Sequence, residues 1–117
     1  MTYKLIIPRW HPAAINQFIG RHWKTMARLK RVDRNMVAGY VKLNRFPIAQ
    51  GPREVSLLIT LAPKQRAPDP DAFWKSLNDA LVHARMLIDD NRQYCRLGTV
   101  EFDRASERAT TISLREL

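Results

Sequence analysis

The stretch EVSLLITLAPKQRAPDPDAFWKSLNDALVHARMLIDD, residues 54–90, decides how the chain is read, because two hydrophobic periods meet in it. Its first ten residues, EVSLLITLAP, are a β-branched run bounded by prolines, which predicts a strand with a central place in its sheet. The period then changes. Asp69 before Pro70 reads as a helix N-cap followed by proline at the first helical position, where the missing N–H leaves no bond unmade. Phe73, Leu77, Ala80, Leu81 and Ala84 give that helix a buried stripe, while Asp71, Lys75 and Asp79, each four residues from the next, share another face. The carboxylates are therefore expected at the surface.

Working outward, YKLIIP (residues 3–8) is β-rich and stops at Pro8, so it predicts a first strand. Residues 9–21 hold Pro12 and Gly20 without a clean period and are expected to be mostly irregular. From His22 to about Leu43, Met26, Leu29, Asp33, Met36, Val37, Tyr40 and Val41 recur at helical spacing, all apolar except Asp33. A long amphipathic helix follows, with Lys24, Arg28, Arg31, Arg34 and Lys42 on its outer surface. NRFPIAQGPR (44–53) is a turn-rich link. Beyond residue 90, YCRLGTVEF and ATTISLREL read as two strands joined by the polar turn DRASER, an antiparallel hairpin. The class is α/β (α+β): a single domain over 1–117, a mixed four-stranded sheet and two main helices, in the order β-α-β-α-β-β.

With 117 residues, 45% of them apolar, the chain can bury one core and is short for two. Its longest apolar runs, such as Leu57-Leu58-Ile59, fall far below the roughly 18 to 20 residues of a membrane span. MTYKLIIPRW lacks the pattern of a secretory signal, so a cytosolic protein is expected. Cys95 is alone and reads as a small buried hydrophobe. His11, His22 and His83 lack the short spacings of zinc sites. No glycine-rich phosphate loop or nucleophilic triad can be assembled, and no organic cofactor is expected.

The net charge of +9 is unevenly spread: residues 1–50 carry ten Lys or Arg against one acid, Asp33, whereas residues 69–117 carry seven against nine. A surface so basic implies a polyanion, with nucleic acid the first choice because its phosphates are neutralised by Lys and Arg with release of counterions. Arg9, Arg21, Lys24, Arg28, Arg31 and Arg34 are the candidate DNA contacts. Trp10 and Trp23 lie among these cations, where they could stack on unpaired bases or be buried, and Trp74 lies near the packing stripe and reads as core.

Against this background stand Asp69, Asp71, Asp79, Asp89 and Asp90. Acids near a helix start are stabilised by its dipole and need no further role. If Asp90 approached Asp69 and Asp71, however, three carboxylates would line the oxygen-rich pocket that Mg²⁺ or Mn²⁺ prefers. The string Asp69-Pro70-Asp71, then Lys75, Asp79-Ala80-Leu81 and Asp89-Asp90 resembles the signature of the RusA family of Holliday junction resolvases. IIPRWHPAAIN resembles that family's proline-rich opening more loosely. The resemblance implies that Asp69, Asp71 and Asp90 are catalytic ligands of Mg²⁺ or Mn²⁺, with Lys75 an essential positive charge and Asp89 supporting. It also implies a homodimer, often encoded in phages and prophages, that hydrolyses two strands of a four-way DNA junction symmetrically in recombination and repair. Two positions depart from the pattern. Ala72 stands where the family usually has asparagine. Arg85 stands where it usually has a helix-ending glycine, and since arginine tolerates a left-handed cap poorly, the helix is expected to end differently. Two rival readings remain: a nuclease of the same chemistry acting on other branched DNA, and a non-catalytic DNA-binding protein that has lost its metal, which Ala72 favours.

Overall fold

The structure, a computed structural model, describes residues 1–14 and 23–117; what the sequence predicts for residues 15–22, including Arg21, His22 and the first residue of the long helix, lies outside the described residues. Strand β2 (Arg53–Leu61) is the organising element, with Arg53, Val55, Leu57, Ile59 and Leu61 all buried. Strand β4 (Ala109–Glu116) repeats that alternation through Thr110, Ile112 and Leu114, and β1 (Thr2–Pro8) adds Leu5 and Ile7. With period-2 side chains, one face of the sheet is thus buried and mostly apolar, with Arg53 and Thr110 as its polar members. Helix α1 (Trp23–Asn44) covers it with Val37 and Val41, and α2 (Trp74–His83) with Leu77, Ala80 and Leu81. On the opposite face Glu54 holds Arg96 at 3.3 Å and Arg115 at 3.2 Å. The molecule is two layers, helices on one side of a four-stranded mixed sheet.

Strand order is β1-β4-β2-β3, where β3 spans Cys95–Arg104. Strand β4 runs antiparallel to both its neighbours, and β3 runs parallel to β2. The expected hairpin of the last two strands is therefore not formed: β2 lies between them. The reason lies in the levels at which the strands stop. Leu61 pairs with Arg104 on one side, Thr60 with Ala109 on the other, and residues 105–108 pass over the end of β2, with Ala105 N–H donating to the Leu61 carbonyl at 3.0 Å. Crossing one strand means spanning two inter-strand spacings of about 4.8 Å. A four-residue link reaches that far, so its length suits a hairpin and a crossing equally. What decides is burial, because β4 alternates cleanly while β3 is mostly exposed and fits an edge. The pairing of β3 with β2 carries one irregularity, between Val55 and Leu57. There a Cβ on Gly98 would collide with Ser56 Oγ, so glycine is required by close approach.

Asp33, the one polar residue in the α1 stripe, is a pin. Its Oδ1 accepts from Trp10 Nε1 at 3.1 Å, and its Oδ2 accepts from Ala13 N–H at 2.8 Å and from Ser76 Oγ at 2.6 Å. Three donors from two other segments converge on one buried carboxylate. Burial pushes the Asp33 carboxyl above its usual range, and the three hydrogen bonds pull it back in part. Trp10 is consequently buried against the core, which removes it as a platform for stacking bases.

Both helices end in the same way, and the ending corrects the sequence expectation for Arg85. In α1 the N–H of Phe46 reaches the Val41 carbonyl and that of Arg45 reaches Lys42; in α2 Met86 reaches Leu81 and Arg85 reaches Val82. These are Schellman caps. Each places an arginine in the left-handed region, Arg45 at φ 53° and Arg85 at φ 63°. The conformation holds because the residue after each arginine, Phe46 or Met86, packs into the core and because the Arg85 carbonyl accepts from Ala49 N–H at 2.9 Å.

Candidate metal and nucleic-acid site

Asp69 and Asp71 sit where a loop turns into a helix. Asp69 Oδ1 accepts from Asp71 N–H at 3.0 Å, Pro70 takes the first helical position, and the chain winds as a short 3-10 turn, Pro70–Phe73, before α2 begins. The cap is thus as the sequence predicts. Ala72 and Phe73 turn inward, leaving Asp71 and Lys75 exposed one turn apart. Phe73 anchors the turn to the sheet, its ring 6.5 Å from that of Phe102, which pairs with Ile59.

The second acidic pair lies past the other end of α2. Asp89 accepts from Asp90 N–H at 2.7 Å and from Asn91 Nδ2 at 3.3 Å, which shapes a turn at the surface. Asp90 lies near enough to the buried Cys95 to add to the rise that burial imposes on its thiol pKa. Cys95 pairs with Arg53, at the opposite end of β2 from the Ile59 level that holds Phe73. Six residues of strand, about 20 Å, separate these levels. Among the described residues no three His, Cys, Asp or Glu side chains are grouped closely enough to hold a metal ion. Asp69 and Asp71 are neighbours; Asp90 is not brought to them.

The remaining residues of the motif have structural work. Asp79 does not display its carboxylate beside Asp71 and Lys75 but turns toward α1, where Arg34 donates to it through Nε at 2.8 Å and Nη2 at 3.1 Å. Arg34 holds the Asp79 carboxyl below its usual range. Ala80 and Leu81 are core. Trp74 is partly buried against that core.

The candidate DNA contacts divide. Arg28 and Arg31 are exposed on the outer side of α1. Trp23 is 66% exposed with the Lys24 ammonium 5.6 Å from its ring centre. Arg34 is occupied by Asp79, and Arg9 pairs with Glu107 at 3.3 Å while staying at the surface. Arg21 lies outside the described residues.

The fold adds cations beside the acidic turn that patterning did not single out. Arg66 is exposed in the loop that enters Pro68-Asp69, and Arg108 is exposed in the link before β4. His11 shares a cleft with both. Its ring is tied to the Thr60 carbonyl at 2.8 Å, and burial holds its pKa below the usual value. The sequence signal was slight: an arginine three residues before Asp69. No helix of the described residues is long and apolar enough to cross a membrane. Compared with models of known protein families and with curated protein sequences, the chain matches none.

Proposed function

We propose that the chain is a divalent-metal-dependent endonuclease acting on branched DNA in the manner of the RusA family, resolving four-way junctions by hydrolysis of phosphodiesters. One observation carries the reading. Asp69 caps a turn, Asp79 pairs with Arg34, Asp89 shapes a turn, and Ala80 and Leu81 fill the core, yet the side chains of Asp71, Lys75 and Asp90 make no hydrogen bond or ion pair among the described residues. In a protein of net charge +9, these two aspartates have no cationic partner among the described residues. Their hard oxygens suit Mg²⁺ or Mn²⁺: Asp69 and Asp71 would hold it as neighbouring ligands, and Asp90 would be the third only if the chain beyond α2 closed on them when metal binds. A divalent ion held there would supply Lewis-acid polarisation of a phosphoryl oxygen and an activated water. Lys75 offers a positive charge to the negative charge that develops on the phosphate. Two symmetric cuts require two sites related by a two-fold axis, which a homodimer supplies, and the cytosol is the compartment where such DNA is met.

A second reading, a DNA-binding protein without catalysis, is favoured by the separation of Asp90 from the Asp69–Asp71 pair and by Ala72, which offers no side-chain oxygen beside them. A labelled four-way junction and a linear duplex of the same sequence, each incubated with the pure protein with and without Mn²⁺, separate the readings. The resolvase cuts only the junction and only with metal. Cutting of flaps or forks in preference to junctions marks the broader nuclease, and junction binding without cutting marks the non-catalytic protein.

A further inference from the structure

We propose that the cleft between His11, Arg66 and Arg108 is a seat for a phosphodiester of the DNA backbone, placed beside the Asp69 turn; the identity of the ligand rests on the DNA-processing reading above. The cleft has a volume of about 310 Å³ and is lined by His11, Gln65, Arg66, Pro68, Phe73 and Arg108 among others, with no carboxylate among the lining residues. Pro68 immediately precedes Asp69 and Phe73 closes the 3-10 turn, so one wall of the cleft is the segment that carries the acidic pair.

The cationic groups are available. Arg66 makes no hydrogen bond or ion pair among the described residues. Arg108 uses only its Nε, donating to the Arg9 carbonyl at 3.2 Å, which orients the guanidinium and leaves its two terminal nitrogens without a partner among the described residues. The nearest acid in sequence, Glu107, is already paired with Arg9. Two guanidinium groups facing one cleft are the arrangement that phosphate oxygens accept from.

The loop that carries Arg66 is also held in place before any ligand arrives. Arg104 Nη1 donates to the carbonyls of Ala62 at 3.0 Å and Gln65 at 2.7 Å. Gln65 N–H donates to the Ala62 carbonyl at 3.0 Å, and Gln65 Oε1 accepts from Ala62 N–H at 3.1 Å. His11 completes the frame: a carbonyl can only accept, so the Thr60 contact fixes the proton on Nε2, and Nδ1 is left to accept from the Gln65 amide at 3.3 Å. His11 is thus a positioning residue, a neutral strut between β2 and the loop. Pre-ordering of this kind lowers the cost of binding a small anion.

The test uses the whole protein in chelator, so that no cutting occurs. Resonances of the Arg66 and Arg108 side chains and the His11 ring are followed by NMR during titration with thymidylyl-thymidine, which carries one phosphodiester, with inorganic phosphate, and with thymidine. The seat predicts saturable shifts at all three residues with the dinucleotide and none with thymidine. The His11 shift, the reporter common to all variants, should be lost in Arg66→Gln/Arg108→Gln and report an affinity weakened at least threefold in Arg66→Gln alone, whose native side chain makes no hydrogen bond or ion pair among the described residues. Asp71→Asn should keep all three shifts. Shifts with inorganic phosphate alone overturn the assignment to a diester, and shifts that persist in the double variant, or no shifts, overturn the seat. Dinucleotide binding that survives while no branched DNA is ever cut retains the seat and removes the nuclease.

Discussion

Arg34 on α1 and Asp79 on α2 meet side-on, two guanidinium nitrogens on two carboxylate oxygens, at 2.8 and 3.1 Å. The pair spans the seam between the helices beside the pin formed by Asp33, the residue before Arg34 on α1, and Ser76, about one turn before Asp79 on α2, so two neighbouring polar contacts hold the seam. Both side chains remain about 40% exposed. Discounted for solvent screening, Asp79→Ala should cost about 0.5–1 kcal/mol in urea unfolding. Because Arg34 lowers the Asp79 pKa from 3.8, the contribution is present above that value and is lost as pH falls through the folded value. The difference between wild type and Asp79→Ala should therefore shrink in acid below pH 3.8. A difference that stays constant there would show that the pair carries no stability.

Asp33→Asn tests the pin. Asparagine keeps one acceptor oxygen but turns an NH₂ toward groups that donate, so about 1–3 kcal/mol should be lost. The Asp33 pKa is raised by burial, so its contribution is fully present below 3.8 and is lost as pH rises through the folded value. Asparagine does not titrate, and the deficit of the variant should grow as pH falls. A variant as stable as wild type at neutral pH would mean that Trp10, Ala13 and Ser76 find other acceptors.

Arg45→Gly and Arg85→Gly should each stabilise the protein. An L-residue in the left-handed region costs about 1–2 kcal/mol, and glycine's extra freedom in the unfolded chain returns about 0.5–1 kcal/mol of that. A net gain of about 0.5–1 kcal/mol per site is expected. The double variant should melt higher than either single one. Loss of stability in both would show that the arginine side chains have fold contacts beyond the cap.

The metal reading is tested without DNA. A cation that binds only the folded state stabilises it by about 2.7 kcal/mol at a hundred times its dissociation constant. Native protein should melt higher in Mn²⁺ than in chelator. Asp71→Asn should lose most of that increment, and Asp90→Asn should lose it only if Asp90 joins the pair when metal binds. Equal metal shifts in wild type and Asp71→Asn dispose of the proposed ligand set. On a junction, Asp71→Asn should cut slower by orders of magnitude while binding at least as tightly, since a repulsive charge has gone.

The exposed outer side of α1 predicts a salt effect. Binding to duplex arms should weaken by about 0.9 log unit per log unit of salt for each phosphate neutralised. Arg28→Glu/Arg31→Glu should flatten that slope; an unchanged slope with the fold intact would mean this side of α1 faces water.

Much of the fold was legible because period and punctuation agreed. Val55, Leu57, Ile59 and Leu61 alternate between prolines, and Asp69 with Pro70 marks a helix start by backbone chemistry alone. The strand order was not legible, because the link 105–108 fits two topologies and only the packed sheet chooses. Arg53 was missed for a related reason. It lies in phase with Val55 and is buried, its guanidinium donating to the carbonyls of Met86 and Pro47 and to Glu116, but a charge at a strand's first residue reads as its boundary. Of the acidic motif, exposure and the cap were readable. Which aspartates are neighbours was not, since it depends on where the chain leaves α2, and Arg85 adopts there a conformation its side chain disfavours.

Among the described residues, strand β1 is bonded to the sheet only through β4, with Thr2 facing Arg115 and Pro8 facing Ala109. During synthesis β1 therefore leaves the ribosome first of the strands and has no edge to join until the last strand has emerged. Until then Leu5, Ile7 and Trp10 lack their final surroundings, and the two donors that the segment after β1 gives the Asp33 pin, Trp10 and Ala13, are not yet anchored by the sheet. Closing that interval means bringing together segments about a hundred residues apart, the kind of remote pairing that slows folding and lengthens exposure of an apolar strand. A nascent chain stalled before Ala109 should consequently hold a floating β1 available to chaperones, whatever the state of its helices.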